Sequence, residues 1–115
     1  MKLSIVVPCY NEEGNVKAFS DAVYKVFKNK KITYEIIYVN DGSKDNTIKQ
    51  LKEVIAQEKQ NIKVINFSRN FGKEAAMYAG LNEVSGDYVT IIDADLQQRP
   101  ELILNMLDIL EGNKE

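Results

Sequence analysis

Histidine is absent from the 115 residues, so any mechanism that needs an imidazole base is excluded within this chain. Cysteine occurs once, as Cys9, which leaves no internal disulfide and is compatible with a reducing compartment. Apolar runs are short, and none approaches the roughly 18 residues that a membrane helix needs. Met1-Lys2 leads directly into an apolar segment without the pattern of a signal peptide, so the reading is a cytoplasmic chain. Charge of one sign is also scarce. The net charge is −2 and no basic tract extends beyond Lys28, Lys30 and Lys31, which excludes a nucleic-acid footprint. Two glycine-rich phosphate loops are missing. There is no G-x-G-x-x-G after the first apolar segment, where Pro8-Cys9-Tyr10-Asn11-Glu12-Glu13-Gly14 stands instead, and no Walker A sequence.

What is present describes a folded chain. Hydrophobic residues make up 44% and charged residues 28%, which excludes a disordered segment. The length corresponds to one domain or part of one, able to bury roughly two-thirds of its unfolded surface. Strand and helix patterns alternate. Leu3 to Val7 reads as a nearly continuous apolar strand. A helix follows, with Asn11 as its cap and Val16, Phe19, Val23, Val26 and Phe27 on one face. Glu35 to Val39 is a second strand, followed by a helix from near Asp45 that buries Ile48, Leu51 and Ile55. Ile62 to Phe67 is a third strand. The next helix, Lys73 to Val84, carries Ala75, Ala76, Ala79 and Gly80, small enough to lie close to a sheet. Asp87 to Ile92 is a buried fourth strand, and Pro100 opens a last helix with Leu102, Ile103, Met106, Leu107 and Leu110 on its core face. Leu104 and Ile109 fall off that face and suit a surface for further sequence or self-association. Apolar strands joined by helices imply an α/β, Rossmann-like, mostly parallel sheet with helices on both faces.

In such sheets ligands bind outside the carboxyl ends of the strands. The unusual residues fall there: Pro8-Cys9-Tyr10-Asn11-Glu12, Asn40-Asp41-Gly42-Ser43, Ser68 to Lys73, and Asp93-Ala94-Asp95. Carboxylates at i and i+2 are oxygen donors for a hard divalent cation, Mg²⁺ or Mn²⁺, which commonly also takes substrate phosphate oxygens. A nucleoside diphosphate or sugar nucleotide is the ligand class this suggests. The tripeptide also suits a loop whose aspartates satisfy backbone amides; the convergence of four polar loops on one rim favours a ligand. Asp41 could bond a ribose hydroxyl or a base edge.

These motifs together resemble the amino-terminal, nucleotide-binding half of a family two glycosyltransferase with the GT-A fold. Ile5-Val6-Val7-Pro8-Cys9-Tyr10-Asn11-Glu12 is similar to that family's V-V-P-x-Y-N-E, and Asn40 to Thr47 to its D-D-G-S-x-D-x-T, with Asn40 in place of the first Asp. Ser68 to Ala76, then Ala79-Gly80-Leu81, resembles the arm that makes polyprenyl-phosphate sugars, which includes dolichyl-phosphate mannose synthases and bactoprenol glucosyltransferases. Asp93 to Gln97 and Pro100 to Ile103 extend the match, with Gln98-Arg99 where that arm usually has Asp-Pro.

The resemblance implies roles. Asp93 and Asp95, with the amide oxygen of Gln97, are the metal candidates. Pro8 and Tyr10 resemble the nucleoside pocket, and Glu12 a nucleotide-contacting acid. Asp41 would read base or ribose with Val39 lining the pocket, Ala94 would let the ligand approach the backbone, and Lys73 and Arg69 would neutralise diphosphate. Plainer roles exist for several: a helix-entry staple for Tyr10, a first-turn acid for Glu12, solvated charge for Lys73 and Arg69, a loop residue for Gln97. Ser43 and Asp45 read as caps of the second helix, and Cys9 as a small packed residue. The activity implied is metal-dependent, inverting transfer from a UDP- or GDP-sugar, with a polyprenyl phosphate as acceptor and the full-length protein at the cytoplasmic face of a membrane. Residues 1–115 would be the nucleotide-sugar-binding part of the domain, with no catalytic base of its own and the acceptor site contributed by further sequence. The alternatives are a non-enzymatic nucleotide- and Mg²⁺-binding module, or a nucleotidyltransferase-like domain.

Overall fold

A computed structural model describes residues 2–95, 101, 104, 105 and 108. Four strands, β1 (Lys2–Cys9), β2 (Thr33–Asn40), β3 (Ile62–Asn66) and β4 (Tyr88–Ile91), alternate with three helices, α1 (Val16–Phe27), α2 (Thr47–Ala56) and α3 (Lys73–Leu81). The strands form one parallel sheet in the order β3-β2-β1-β4. β1 and β2 pair over their whole length, from Lys2 opposite Thr33 to Cys9 opposite Asn40.

Side-chain alternation divides the central strands between two cores. Leu3, Ile5, Val7 and Cys9 of β1, with Ile36 and Tyr38 of β2, face Val16, Phe19, Val23 and Phe27 of α1 and Leu51 and Val54 of α2. Ile37 and Val39 point the other way and pack with Ala76 of α3. Helices therefore cover both faces, as the apolar strands require. The small residues of α3 permit a close approach: a Cβ on Gly80 would lie 2.4 Å from Cγ1 of Val6. At the far end of the sheet from the polar loops, the buried Glu35 carboxylate accepts hydrogen bonds from Ser4 Oγ (2.6 Å), Ser85 N (2.8 Å) and Ser85 Oγ (3.0 Å), and Lys63 Nζ lies 3.0 Å from its other oxygen. Burial alone would raise its pKa; these donors outweigh it and bring the group down to about 2.

Several expectations need correction. Asn11 does not cap α1. It adopts a left-handed φ of 54° in a turn, and the helix starts after Asn15, whose N–H bonds Glu12 O at 2.8 Å. Ile55 is 40% exposed; Thr47, Leu51 and Val54, spaced i, i+4 and i+7, form the buried face of α2. α3 ends at Leu81, where the chain turns with Glu83 N bonded to Gly80 O at 3.0 Å. β4 is not a buried strand: among the described residues it pairs with β1 alone, and Val89 is 41% exposed. Glu101, Leu104, Asn105 and Asp108 are helical, and Leu104 packs against the α1-side core rather than lying off it. Pro100, Leu102, Ile103, Met106, Leu107, Ile109 and Leu110 lie outside the described residues.

Candidate functional site

The order of the sheet reverses at β1, which lies between β2 and β4, and such a switch point opens a crevice at the carboxyl ends of the strands. A cavity of about 490 Å³ lies there. The end of β1 contributes Pro8, Cys9, Tyr10 and Glu12; the end of β2 contributes Asp41; the β3–α3 connection and α3 contribute Asn70, Gly72, Lys73 and Ala76; and the turn after β4 contributes Asp93 and Asp95.

The first two loops are tied to each other by their own motif residues. Asn11 N donates to Ser43 Oγ (3.0 Å), and Lys44 N donates back to Asn11 Oδ1 (2.9 Å). Glu12 N donates to Thr47 Oγ1 (2.9 Å) and Glu13 N to Asp45 Oδ2 (3.4 Å). Ser43 is thus a cross-loop acceptor rather than a helix cap. Asp45 is not the cap either: Asn46 holds that position without a side-chain cap bond, and Asp45 Oδ1 receives Thr47 N at 2.9 Å just before the helix. Slight burial opposes its ionisation, but the Thr47 and Glu13 donors prevail and lower its pKa.

Asp41 joins three strands' ends. Its N–H bonds Cys9 O at 2.8 Å. Its Oδ1 accepts Phe71 N (2.7 Å), and Oδ2 accepts Asn70 Nδ2 (3.0 Å) and Gly72 N (3.1 Å). Only 3% of the residue is exposed. The β3–α3 loop is therefore held by a carboxylate, and Gly42 closes the same contact. Gly42 has a φ of +70°, and a Cβ there would lie 2.2 Å from the carbonyl carbon of Arg69.

Asp93 and Lys73 meet across the cavity, with Nζ 2.9 Å from Oδ1. Tyr10 is 43% exposed and Asp95 is exposed. Glu12 accepts Asn15 Nδ2 at 2.7 Å. Cys9 is buried, and burial first, then the charges of Glu12 and Asp93, push its thiol well above the usual range, which leaves it protonated and a poor nucleophile.

Of the residues singled out in the sequence, Pro8, Tyr10, Glu12, Asp41, Lys73, Asp93 and Asp95 therefore line one cavity. Val39 and Ala94 do not. Both are fully buried, Val39 against α3 and Ala94 in the α1-side core. Alternation is the reason: Val39 shares its face with Ile37, and Ala94 lies between two outward aspartates and so turns inward. Arg69 stacks its guanidinium 4.8 Å from the centre of the Phe71 ring and is not part of the lining. Gln97 lies outside the described residues. Asn70, Gly72 and Ala76 were missed; the glycine just before a helical pattern was the available signal for that stretch.

A hard divalent cation fits this donor set. Asp93 already binds an ammonium group at ion-pair distance. Among the described residues no group of three or more His, Cys, Asp or Glu side chains converges. Among the described residues no helix is long and apolar enough to cross a membrane.

Comparison with known proteins gives a consistent set of likenesses. The model of the family described as "Glycosyl transferase family 2" matches residues 4–115. The chain is 52% identical over 108 residues to an uncharacterized glycosyltransferase of Synechocystis, covering 94% of this chain and 34% of that protein. It is 41% identical to the bactoprenol glucosyl transferase of Shigella phage SfV, covering 94% and 35%. It is 39% identical to the undecaprenyl-phosphate 4-deoxy-4-formamido-L-arabinose transferase of Proteus mirabilis, covering 96% and 34%. The chain thus spans about a third of the length of these relatives. Among solved structures, Staphylococcus aureus TarS 1-349 in complex with UDP superposes with a TM-score of 0.77 at 25% identity, covering 97% of this chain and 32% of that one. Glucosyl-3-phosphoglycerate synthase of Mycobacterium tuberculosis, in complex with Mn²⁺, UDP and glucosyl-3-phosphoglycerate, superposes with a TM-score of 0.70 at 25% identity, covering 95% and 39%.

Proposed function

The chain belongs to glycosyl transferase family 2, and from that premise we propose that it forms the nucleotide-sugar-binding part of an enzyme that transfers a sugar from a UDP- or GDP-sugar to a polyprenyl phosphate. The observation that carries the reading is the meeting of four strand-end loops around one cavity whose lining includes Tyr10, Asp41, Lys73, Asp93 and Asp95. The relatives named for bactoprenol and undecaprenyl-phosphate transfer support the acceptor class. The UDP-bound neighbours support the donor class. Family membership weighs against a nucleotidyltransferase and against a non-enzymatic module.

In this reading Tyr10 packs on the base. Asp41 keeps its loop in place with three acceptor positions, and a carboxylate has about four, so one remains for a base N–H or a ribose hydroxyl. Lys73 meets the diphosphate. Asp93 and Asp95 would hold Mg²⁺ or Mn²⁺, which would supply positive charge beside the departing nucleoside diphosphate. Displacement at the anomeric carbon inverts it. A phosphate monoester acceptor, with a second pKa of about 6, arrives mostly ionised and needs no strong base. The acceptor site is expected from sequence that the longer relatives carry beyond the matched third, and the lipid acceptor would set the reaction at the cytoplasmic face of a membrane.

Calorimetry with UDP and GDP, with and without millimolar Mn²⁺, tests the reading. Metal-dependent binding of one of them is expected, and ligand at about 100 times its dissociation constant should stabilise the fold by about 2.7 kcal/mol. Absence of binding by both nucleotides to the folded protein in Mn²⁺ would overturn it.

A further inference from the structure

The cavity is unevenly charged. Its lining brings Glu12, Asp41, Asp93 and Asp95 together, and Lys73 is the one cation among the described lining residues. That cation is 60% exposed and is nonetheless paired. It lies on Asp93 at 2.9 Å, and the Asp93 side chain is itself 47% exposed. The ammonium therefore sits beside a carboxylate that a divalent ion would use. Two solitary arrivals are disfavoured by this arrangement. A metal ion alone must displace Lys73 and approach its positive charge. A diphosphate alone meets the carboxylates of Glu12, Asp93 and Asp95. When both arrive, the ion compensates the aspartates and the displaced ammonium has a phosphate to pair with.

We propose that Lys73 is a place-holding counter-ion: without nucleotide it occupies Asp93 and lowers the affinity for metal, and with a nucleoside diphosphate and metal together it transfers to the diphosphate. The inference rests on the nucleotide-sugar reading of the cavity and adds to it a coupling between the two ligands. Such coupling is reciprocal: whatever factor Lys73 adds to nucleotide affinity in the presence of metal appears equally in metal affinity in the presence of nucleotide. Its size follows from the exposure of the pair. Solvated ion pairs of this kind change an equilibrium by up to about fivefold.

The test titrates Mn²⁺ alone, and then UDP in saturating Mn²⁺, into the 115-residue chain and its Lys73→Met and Lys73→Arg variants, with circular dichroism as the check on folding. Free Mn²⁺ is read by electron paramagnetic resonance and UDP by calorimetry. Lys73→Met is expected to bind Mn²⁺ alone about two- to fivefold more tightly and UDP in Mn²⁺ weaker by a similar factor. Lys73→Arg, which keeps the charge, should return both values toward the original. A lysine that merely decorates the helix start would not move the two affinities in opposite directions. Unchanged or weaker Mn²⁺ binding by folded Lys73→Met overturns the proposal while leaving the nucleotide-sugar reading intact, provided the unsubstituted chain binds UDP. Failure of the unsubstituted chain to bind UDP with Mn²⁺ overturns both.

Discussion

Asp93 and Asp95 flank a residue that faces the opposite way, and this i, i+2 geometry separates the site from the core over three positions. The aspartates line the cavity and Ala94 is buried beneath them. The pair was legible in the sequence because two carboxylates at a strand end have few packing roles. Ala94 and Val39 turn inward by the same alternation, away from the cavity lining. Asp41 was legible as a site residue and not as an organiser, because its donors come from Asn70, Phe71 and Gly72, some thirty positions away. Asp95→Asn is expected to weaken Mn²⁺-dependent UDP binding by at least about tenfold. The exposed position should hold the stability change within about 0.5 kcal/mol. Paired calorimetry and thermal melts check this, and tight metal-dependent binding by the variant would remove Asp95 from the metal site. Cys9→Ser should keep nucleotide binding, since the protonated, buried thiol has no chemistry to lose; binding calorimetry on the variant decides.

At the scale of elements, the long apolar faces were readable and the connections were not. Of the residues its periodicity assigned, α1 buries Val16, Phe19, Val23 and Phe27 and leaves Val26 partly buried. The loops departed from expectation wherever a polar side chain bonded a distant backbone. Asn11 and Ser43 look like caps by local rules, yet they bond each other's loops. Val54 rather than Ile55 completes the buried face of α2, whose first residue, Thr47, is tied to Glu12. Gly42 tests how far the rim depends on these contacts. A methyl group there is opposed by the left-handed φ of +70° and by the backbone of Arg69 at 2.2 Å. Gly42→Ala is expected to destabilise the chain by about 1–3 kcal/mol. It should also lower UDP affinity, because Asn70 and Gly72 line the cavity on the displaced loop. Denaturant melts and calorimetry measure the two effects, and a variant with unaltered stability would show that the two loops are not in the tight contact described.

For the molecule as a whole, Glu35 links β1, β2, β3 and the α3–β4 connection through Ser4, Lys63 and Ser85. Its folded pKa of about 2 lies below the ordinary 4.5, so its contribution is complete above about pH 4.5 and is lost as the pH falls toward 2. The shift corresponds to roughly 3 kcal/mol at neutral pH. Glu35→Gln should remove about that much and flatten the stability profile between those two pH values, as urea melts across the acid range would record. The parallel α/β class was legible from composition and alternation. The strand order was not, because β1 meets β4 only across more than eighty positions, as in the bond from Lys2 N to Asp87 Oδ2. That separation has a consequence in time. On a ribosome adding about 5–20 residues per second, the stretch from β2 to β4 takes several seconds to emerge. Throughout that interval β1, the strand that ends at the cavity, lacks one neighbour, and its apolar flank is open to other chains. The step that completes the crevice is therefore also the one that closes the apolar flank of β1, so slowing translation between these strands should lower the yield of soluble protein before it alters anything in the finished fold.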